Sequence, residues 1–425
     1  MKNDKIKTMI INYWANRINY GADLTAYALQ YLINNLGDYS CFLIDNQFLC
    51  LKFLYNKLNF FKDFEKNIKK TEYLYKYSDF NNLNNYTKIF ITGSDQVFRV
   101  SGLGNHRYQY LLDYVNSNKK KIAFSASFGV NKEQFIKETS QKTIENMKFS
   151  LSSFDFISVR EKSGVKICKD LFDIDTEWII DPVFIMDNSK YDELIKNSTK
   201  DFSNKIVSYV LDTNKEYKKA HKYLSKKYNL EVIELANSNE SIENWLAAIK
   251  NCKFLITDSF HGMCFAIIFN KPFICLSNKD RGATRFESIL EMLGIDNQCI
   301  DNPLEILEKD CIFKVDYDRV NQRIEEERQR GLYFLKKALE APVGKREEKI
   351  EAKMQFLENI VIELEQQATL KYQIKKELWH LWLIIFHRYL PNPIKKIIRA
   401  LKNKFRGGKK YILIYLLFLA LVVTA

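Results

Sequence analysis

Residues 256–272 read ITDSFHGMCFAIIFNKP and follow the apolar pair Phe254 and Leu255. The stretch passes from an apolar run to a polar cluster and then to an apolar segment with helical spacing, and a proline precedes the next apolar run. This order predicts a strand, a loop, a helix and a second strand. This alternation is typical of α/β sheets, which bind ligands beyond the carboxyl ends of their strands. We therefore expect the polar cluster at 258–262, with Asp258, at such a strand end.

His261 stands beside the predicted N-terminus of the following helix, where anions are favoured. An imidazole in that place could move protons near a phosphate or a carboxylate. It fits equally well as a helix cap or as a hydrogen-bonded loop histidine. The pattern leaves both interpretations open.

The strand–helix alternation recurs through the first 340 residues. In the first unit we expect Asp23 to cap the helix and Gly37 to end it. Two consecutive halves of this kind predict an α/β protein with two Rossmann-like doubly wound domains facing a cleft. The predicted strands are 6–13, 88–92, 121–127, 154–159, 178–183, 205–211, 230–235, 254–256 and 273–276.

The polar segment 187–204 is the expected domain boundary. Beyond Pro342 the apolar residues step by four and three, which predicts a short coiled coil or an amphipathic helix packed on the enzyme. The predicted parts are an N-terminal Rossmann-like domain (1–187), a C-terminal Rossmann-like domain (188–340), the helix or coiled coil (341–376) and a tail (377–425).

The tail has aromatic residues such as Trp379 and Trp382, then a basic run at 394–410 and an uncharged apolar end at 411–425. Fifteen helical residues span about 22 Å, less than the ~30 Å hydrocarbon core. This order is typical of a helix lying on an anionic membrane surface with an inserted terminus. We expect a cytoplasmic protein, peripheral to or tail-anchored at the inner face of the plasma membrane.

The net charge of +13 lies partly in this tail, and nucleic-acid-binding signatures are missing, so nucleic acid is not an expected partner. The eight cysteines form no Cys-x-x-Cys pair, which favours buried thiols over disulfides or zinc. The sequence also lacks a Walker loop, a Gly-x-Gly-x-x-Gly motif and a His-Glu-x-x-His motif. We therefore expect no metal site and no bound cofactor.

Cationic side chains follow several predicted strands, among them Arg160, Lys279, Arg281 and Arg285. Guanidinium groups bind carboxylate and phosphate in a bidentate manner, and a helix N-terminus adds backbone donors. A substrate with both kinds of anion, held between the two halves, would use such a set. Each arginine taken alone is also typical of an exposed or salt-bridged residue.

Seven short motifs in this order resemble the polysaccharide pyruvyltransferase family over roughly residues 7–339. They are Asn19-Tyr20-Gly21 leading into residues 26–30, Gly93-Ser94-Asp95-Gln96-Val97, Ser125-Ala126-Ser127-Phe128-Gly129, Ser158 to Gly164, Asp181-Pro182-Val183, Thr257 to Gly262, and Arg281-Gly282 with Arg285-Phe286.

The resemblance implies a glycosyltransferase-B-like fold. It also implies transfer of pyruvate from phosphoenolpyruvate, the donor substrate, to two hydroxyls of a sugar. The product would be a cyclic ketal on a surface glycan, such as a capsule or exopolysaccharide, or on a lipid-linked oligosaccharide precursor. By resemblance, Arg160 would bind the anionic end of the donor, and His261 would act as an acid or contact phosphate.

Asp258 completes the expected catalytic set. The expected substrate-binding residues are Asn19, Gly21, Ser94, Asp95, Gln96, Ser163, Ser259, Lys279, Arg281 and Arg285. Some relatives have Arg where this chain has Ser259, so the phosphate partner expected from the resemblance is either absent or replaced by Lys279 or Arg281. Two alternatives stay open, a nucleotide-sugar-dependent glycosyltransferase of the same architecture and a non-catalytic membrane-bound assembly factor. The sequence leaves homo-oligomerisation open.

Overall fold

The computed structural model describes residues 5–12, 19–45, 61, 63–72, 74, 77–99, 107–236, 238–276, 282–307 and 315–344. These residues all belong to one compact unit. No helix among them is long and apolar enough to cross a membrane. Nearly all of the predicted helix or coiled coil, and the whole tail, lie outside the described residues.

The first half of the described chain forms one parallel sheet with helices. Its strands are β1 (Ile6–Ile11), β2 (Tyr39–Leu43), β3 (Ile89–Thr92), β4 (Lys120–Ala126), β5 (Phe156–Val159) and β6 (Glu177–Trp178). Its α-helices are α1 (Tyr20–Asn35), α2 (Tyr77–Asn82), α3 (Arg107–Tyr110), α4 (Lys132–Glu138), α5 (Gln141–Leu151), α6 (Lys162–Ile167), α7 (Pro182–Ile185) and α8 (Asn188–Ile195).

The second half forms another parallel sheet. Its strands are β7 (Lys205–Tyr209), β8 (Glu231–Glu234), β9 (Phe254–Thr257), β10 (Phe273–Leu276) and β11 (Cys299–Ile300). Its helices are α9 (Lys215–Tyr228), α10 (Ile242–Asn251), α11 (Phe260–Ile268), α12 (Thr284–Leu293) and α13 (Tyr317–Glu340).

Both sheets have the strand order of Rossmann-like units. The first runs β2-β1-β3-β4-β5-β6 and the second runs β11-β10-β9-β7-β8. Parallel neighbours require crossover connections, and these are largely the helices that cover both faces of each sheet. The predicted α/β class with two Rossmann-like halves is confirmed.

Burial on both faces explains why the strands are continuous apolar runs. In β1, Ile10 points into a large central core, whereas Met9 and Ile11 point into a second core on the other face. In β9, Leu255 joins the same central core, and Ile256 joins a third core behind the second sheet. The central core therefore contains side chains from both halves and holds them together.

One predicted helix cap was wrong. Asn19, and not Asp23, is the N-cap of α1, and its Oδ1 accepts a hydrogen bond from the backbone N–H of Ala22 at 3.2 Å. Asp23 lies in the first turn of that helix. In the second half, α11 begins at Phe260, so His261 lies in its first turn, beside the helix N-terminus as expected.

Helix α13 follows the second sheet in the chain but packs against the first half. The ring of Phe334 lies 6.0 Å from that of Phe124 in β4, and Nζ of Lys120 donates to the backbone oxygen of Leu339 at 2.5 Å. Gly331 passes close to Ile185 of α7, because a Cβ atom there would lie 2.4 Å from Ile185 Cδ1. The long last helix therefore ties the two halves to each other.

Candidate active site

The carboxyl ends of strands from both sheets meet at one cluster of charged side chains. Asp95 follows β3, Arg160 follows β5, and Asp181 follows β6 by a short loop. His261 comes from the other half, in the first turn of α11 directly after β9. The expected convergence of Arg160 and His261 therefore occurs in the structure.

Arg160 is buried, with 1% of its surface exposed, and contacts two carboxylates. Its Nη1 donates to Oδ2 of Asp181 at 2.8 Å, and its Nη2 donates to Oδ1 of Asp95 at 3.1 Å. Burial alone would raise the pKa of Asp95, but Arg160, then His261 and Arg285, and the backbone N–H of Gln96 together outweigh burial, and the pKa is lowered. Because both terminal nitrogens have carboxylate partners, binding of a donor anion by Arg160 stays a prediction.

Asp181 connects Arg160 to the other half of the chain. As N-cap of α7, it accepts the backbone N–H of Val183 on Oδ1 at 3.1 Å. Its Oδ2 accepts the hydroxyl of Ser94 at 2.6 Å and lies 3.8 Å from Nε2 of His261. Burial alone would raise the pKa of Asp181, but His261 and Arg160 together bring it well below its ordinary value.

The imidazole of His261 packs against the first turns of α1. Its Nε2 lies 3.0 Å from Oγ1 of Thr25, which is fully buried. Its Nδ1 lies so near Gly21 that a Cβ atom on that glycine would stand 1.9 Å away. The role of Gly21 is thus steric, because a larger residue would occupy the space of the ring.

A second guanidinium lies beside the first. Cζ of Arg160 is 4.4 Å and Cζ of Arg285 is 5.4 Å from the ring centroid of Phe260, distances typical of cation–π contacts. Arg285 Nε also donates to the backbone oxygen of Gly282 at 3.2 Å. Burial, and then the like charge of Arg160, lower the pKa of Arg285 to about 10. Bound negative charge here would relieve that repulsion.

The backbone at Asp95 is strained. Its φ is +90°, in a region that non-glycine residues rarely adopt, and its Oδ1 accepts the N–H of Gln96 at 2.8 Å. Such strain persists where the surroundings hold it, often at functional sites. Gln96 packs on Gly129, because a Cβ atom added to the glycine would lie 2.3 Å from Oε1 of Gln96. The motifs at 93–97 and 125–129 therefore form one contiguous surface.

Asp258 lies at the same strand end as His261 but has other described partners. Its two carboxylate oxygens accept the backbone N–H groups of Leu211 and Asp212, at 2.7 and 3.0 Å. These bonds fix the turn that follows β7. Its expected catalytic role stays a prediction.

Other predicted site residues support the local backbone. Ser259 is the N-cap of α11 and accepts the N–H of Gly262 at 3.3 Å. Ser163 donates to the backbone oxygen of Val130 at 3.2 Å. Lys279 and Arg281 lie outside the described residues.

Sequence reasoning missed three participants in the cluster. Thr25 was hidden within the apolar pattern of the first helix, where it is typical of ordinary packing, and Phe260 was noted only as part of the motif at 257–262. Glu161 was read only as part of a motif. Its Oε1 accepts the backbone N–H groups of Phe128 at 2.6 Å and Gly129 at 3.1 Å, and burial raises its pKa although these bonds and Arg160 oppose it.

The fold and the site define a two-lobed α/β protein with a buried ionic cluster between its sheets. The sequence model for polysaccharide pyruvyl transferase matches residues 19–280, more than half of the chain. The chain belongs to that family, as the motifs predicted. A search of curated protein sequences found no match.

Solved structures share the general fold at low identity. UDP-GlcNAc 2-epimerase from Neisseria meningitidis, bound to UDP-GlcNAc, is 10% identical with a TM-score of 0.47, over 79% of this chain and 97% of its own. The same enzyme from Methanocaldococcus jannaschii is 11% identical with a TM-score of 0.37, over 76% and 92%. The heptosyltransferase WaaC from E. coli with ADP is 9% identical with a TM-score of 0.36, over 76% and 100%.

Proposed function

We propose that this protein transfers a pyruvyl group from phosphoenolpyruvate to two hydroxyls of one sugar, forming a cyclic ketal. The acceptor is a surface polysaccharide or its lipid-linked precursor. Membership of the polysaccharide pyruvyl transferase family supports the reaction class. The observation that carries the site assignment is the meeting of Arg160 and His261, from different sheets, at Oδ2 of Asp181.

The proposed reaction adds both hydroxyls to C2 of the donor and protonates its methylene carbon. Protonation of the methylene gives an oxocarbenium-like C2, which the first hydroxyl attacks. The C2–O bond to phosphate then breaks, and the second hydroxyl closes the ring. One hydroxyl proton ends on the new methyl group and the other on the released phosphate, so atoms and charges balance.

In this proposal His261 is the residue that transfers the proton, a step typically worth ~10² to 10⁴ in rate. Arg285 contributes positive charge for the donor's phosphate or carboxylate, because its repulsion with Arg160 falls when an anion binds. Arg160 keeps its two carboxylate partners and holds Asp181 and Asp95 in place. Lys279 and Arg281 are proposed as further anion contacts from the sequence alone.

The test is to incubate the purified protein with phosphoenolpyruvate and a panel of lipid-linked sugars, measuring phosphate and the mass of each product. We expect phosphate and pyruvyl-sugar in equal amounts. His261→Asn should lose both, whereas His221→Asn, at a histidine outside the cluster, should keep both. Release of a nucleoside diphosphate from a nucleotide sugar, without reaction of phosphoenolpyruvate, would instead identify a glycosyltransferase.

We also propose, from the sequence of residues 377–425, that the protein acts at the inner face of the plasma membrane. Lipid-linked acceptors are present there, and the basic run would bind anionic lipids. The full-length chain should bind vesicles that contain phosphatidylglycerol, and it should bind neutral vesicles more weakly. High salt should release the part of the binding that depends on charge. Equal binding to both would contradict the electrostatic part of the proposal.

A further inference from the structure

The two ring nitrogens of His261 have different surroundings. Nε2 faces the hydroxyl of Thr25 at 3.0 Å and Oδ2 of Asp181 at 3.8 Å. Nδ1 packs against Gly21, where an added Cβ atom would lie 1.9 Å from it. Within the described part of the chain, no hydrogen bond to Nδ1 is found.

The carboxylate that faces Nε2 is held from several sides. Oδ1 of Asp181 is bound by a backbone N–H of α7, and Oδ2 by Ser94 and Arg160. A group with so many short contacts keeps its orientation, and its negative charge favours a proton on the nitrogen that faces it. Thr25 is fully buried in the second turn of α1, and its hydroxyl lies within hydrogen-bond distance of Nε2.

We propose that Thr25 and Asp181 are positioning residues that hold His261 through Nε2–H and leave Nδ1 as the nitrogen that exchanges a proton with the substrate. This inference rests on the proposed pyruvyl transfer and specifies the atom that performs it. Gly21 has the complementary role of leaving room for the imidazole ring. A side chain at position 21 would clash with the ring and displace it.

The proton movements follow from this arrangement. His261 in its protonated form donates the proton on Nδ1 to the methylene carbon of phosphoenolpyruvate, and the neutral ring that remains carries its proton on Nε2. Asp181 and Thr25 stabilise that tautomer throughout. Nδ1 then accepts a proton from an attacking sugar hydroxyl, which restores the starting form, while the other hydroxyl proton leaves with phosphate.

The first test needs no substrate. Protein labelled with ¹⁵N-histidine is examined by long-range ¹H–¹⁵N NMR at a pH where the ring is neutral, and His261→Gln assigns its signals. We expect a pyrrole-type Nε2 and a pyridine-type Nδ1. The opposite tautomer would overturn the inference whether or not the protein proves to be a pyruvyl transferase.

The second test uses a matched pair of variants. Thr25→Val keeps the shape of the side chain but removes the hydroxyl, and Thr25→Ser keeps the hydroxyl. We expect Thr25→Val to lower kcat about 10-fold or more with little change in KM for phosphoenolpyruvate, because misplacement of a proton-transfer group affects the chemical step. Thr25→Ser should keep most of kcat.

The two tests separate the possible failures. Equal kcat for wild type and Thr25→Val, or an equal loss in both Thr25 variants, would overturn the positioning role. A wild-type protein that releases no phosphate from phosphoenolpyruvate with any acceptor would overturn the proposed function. In that case the NMR measurement still decides which nitrogen of His261 is held.

Discussion

A methyl group on Gly282 would lie 2.0 Å from the carbonyl oxygen of Gly129, so the backbones of these two residues touch. Gly129 follows β4 of the first sheet and Gly282 precedes α12 of the second half. Both have positive φ, +70° and +89°. The two halves are therefore in direct backbone contact beside the charged cluster, where a side chain on Gly282 would separate them.

Gly282→Ala should destabilise the protein, because it combines a clash with Gly129 and a backbone conformation that itself costs ~1–3 kcal/mol in a non-glycine residue. Thermal unfolding followed by circular dichroism measures the effect. Gly164→Ala is the control, since Gly164 is helical and a Cβ atom added there would lie 3.2 Å from its nearest neighbour, Cβ of Val159. Equal losses in the two variants would show that the halves do not meet at Gly282.

Gly21→Ala should lower the free energy of unfolding by roughly 1–3 kcal/mol, the usual effect of overpacking. The clash is with one side chain, His261, so the same substitution in a His261→Ala background should have a much smaller effect. A double-mutant cycle measured by chemical denaturation gives the coupling. Additive effects would mean that Gly21 and His261 are not in contact.

The stability should fall below about pH 4. The pKa values of Asp95 and Asp181 are lowered in the folded state, whereas an unfolded aspartate has a pKa of about 3.9. Their contribution is therefore present above the unfolded pKa and is lost as the pH falls toward the folded values, because the unfolded state then binds more protons. Denaturation from pH 6 to pH 2.5 measures this loss.

Asp95→Asn should flatten the acid dependence, with Asp296→Asn, at an exposed position, as the control. The same dependence in wild type and Asp95→Asn would contradict the proposed electrostatic coupling to Arg160.

A second pH effect comes from His221, which joins α9 to the second sheet. Its Nε2 lies 3.0 Å from Oγ of Ser208, and its Nδ1 lies 3.3 Å from a carboxylate oxygen of Glu234. Burial lowers the pKa of His221 although Glu234 acts in the opposite direction. The folded state thus disfavours protonation, and stability should decrease as the pH falls from about 6.5.

His221→Gln should remove that decrease between pH 7.5 and pH 5.5, because glutamine does not titrate in this range. The measurement compares wild type and variant in how much the free energy of unfolding changes across this range. A larger pH dependence in the variant would show that Glu234 dominates and that the sign is reversed.

Much of the fold could be predicted because it depends on local patterns. Runs such as Phe254 to Ile256 are apolar on both sheet faces, and cap residues such as Ser241 mark helix starts. The start of α1 was misplaced because Asn19 and Asp23 are both good caps. In the structure Asn19 is the cap, and Tyr20, the next residue, stacks on Trp245 of the second half with ring centroids 5.0 Å apart.

By itself the sequence determined the α/β class, the two Rossmann-like halves, the family and the strand ends where polar groups gather. Only the tertiary structure decided which of those groups share a partner. Arg160 and His261 are 101 residues apart, and nothing local to either shows that both face one oxygen of Asp181 or that Thr25 completes the set. Short-range patterns record backbone conformation and burial, whereas the pairing of charges depends on how two separate sheets pack together.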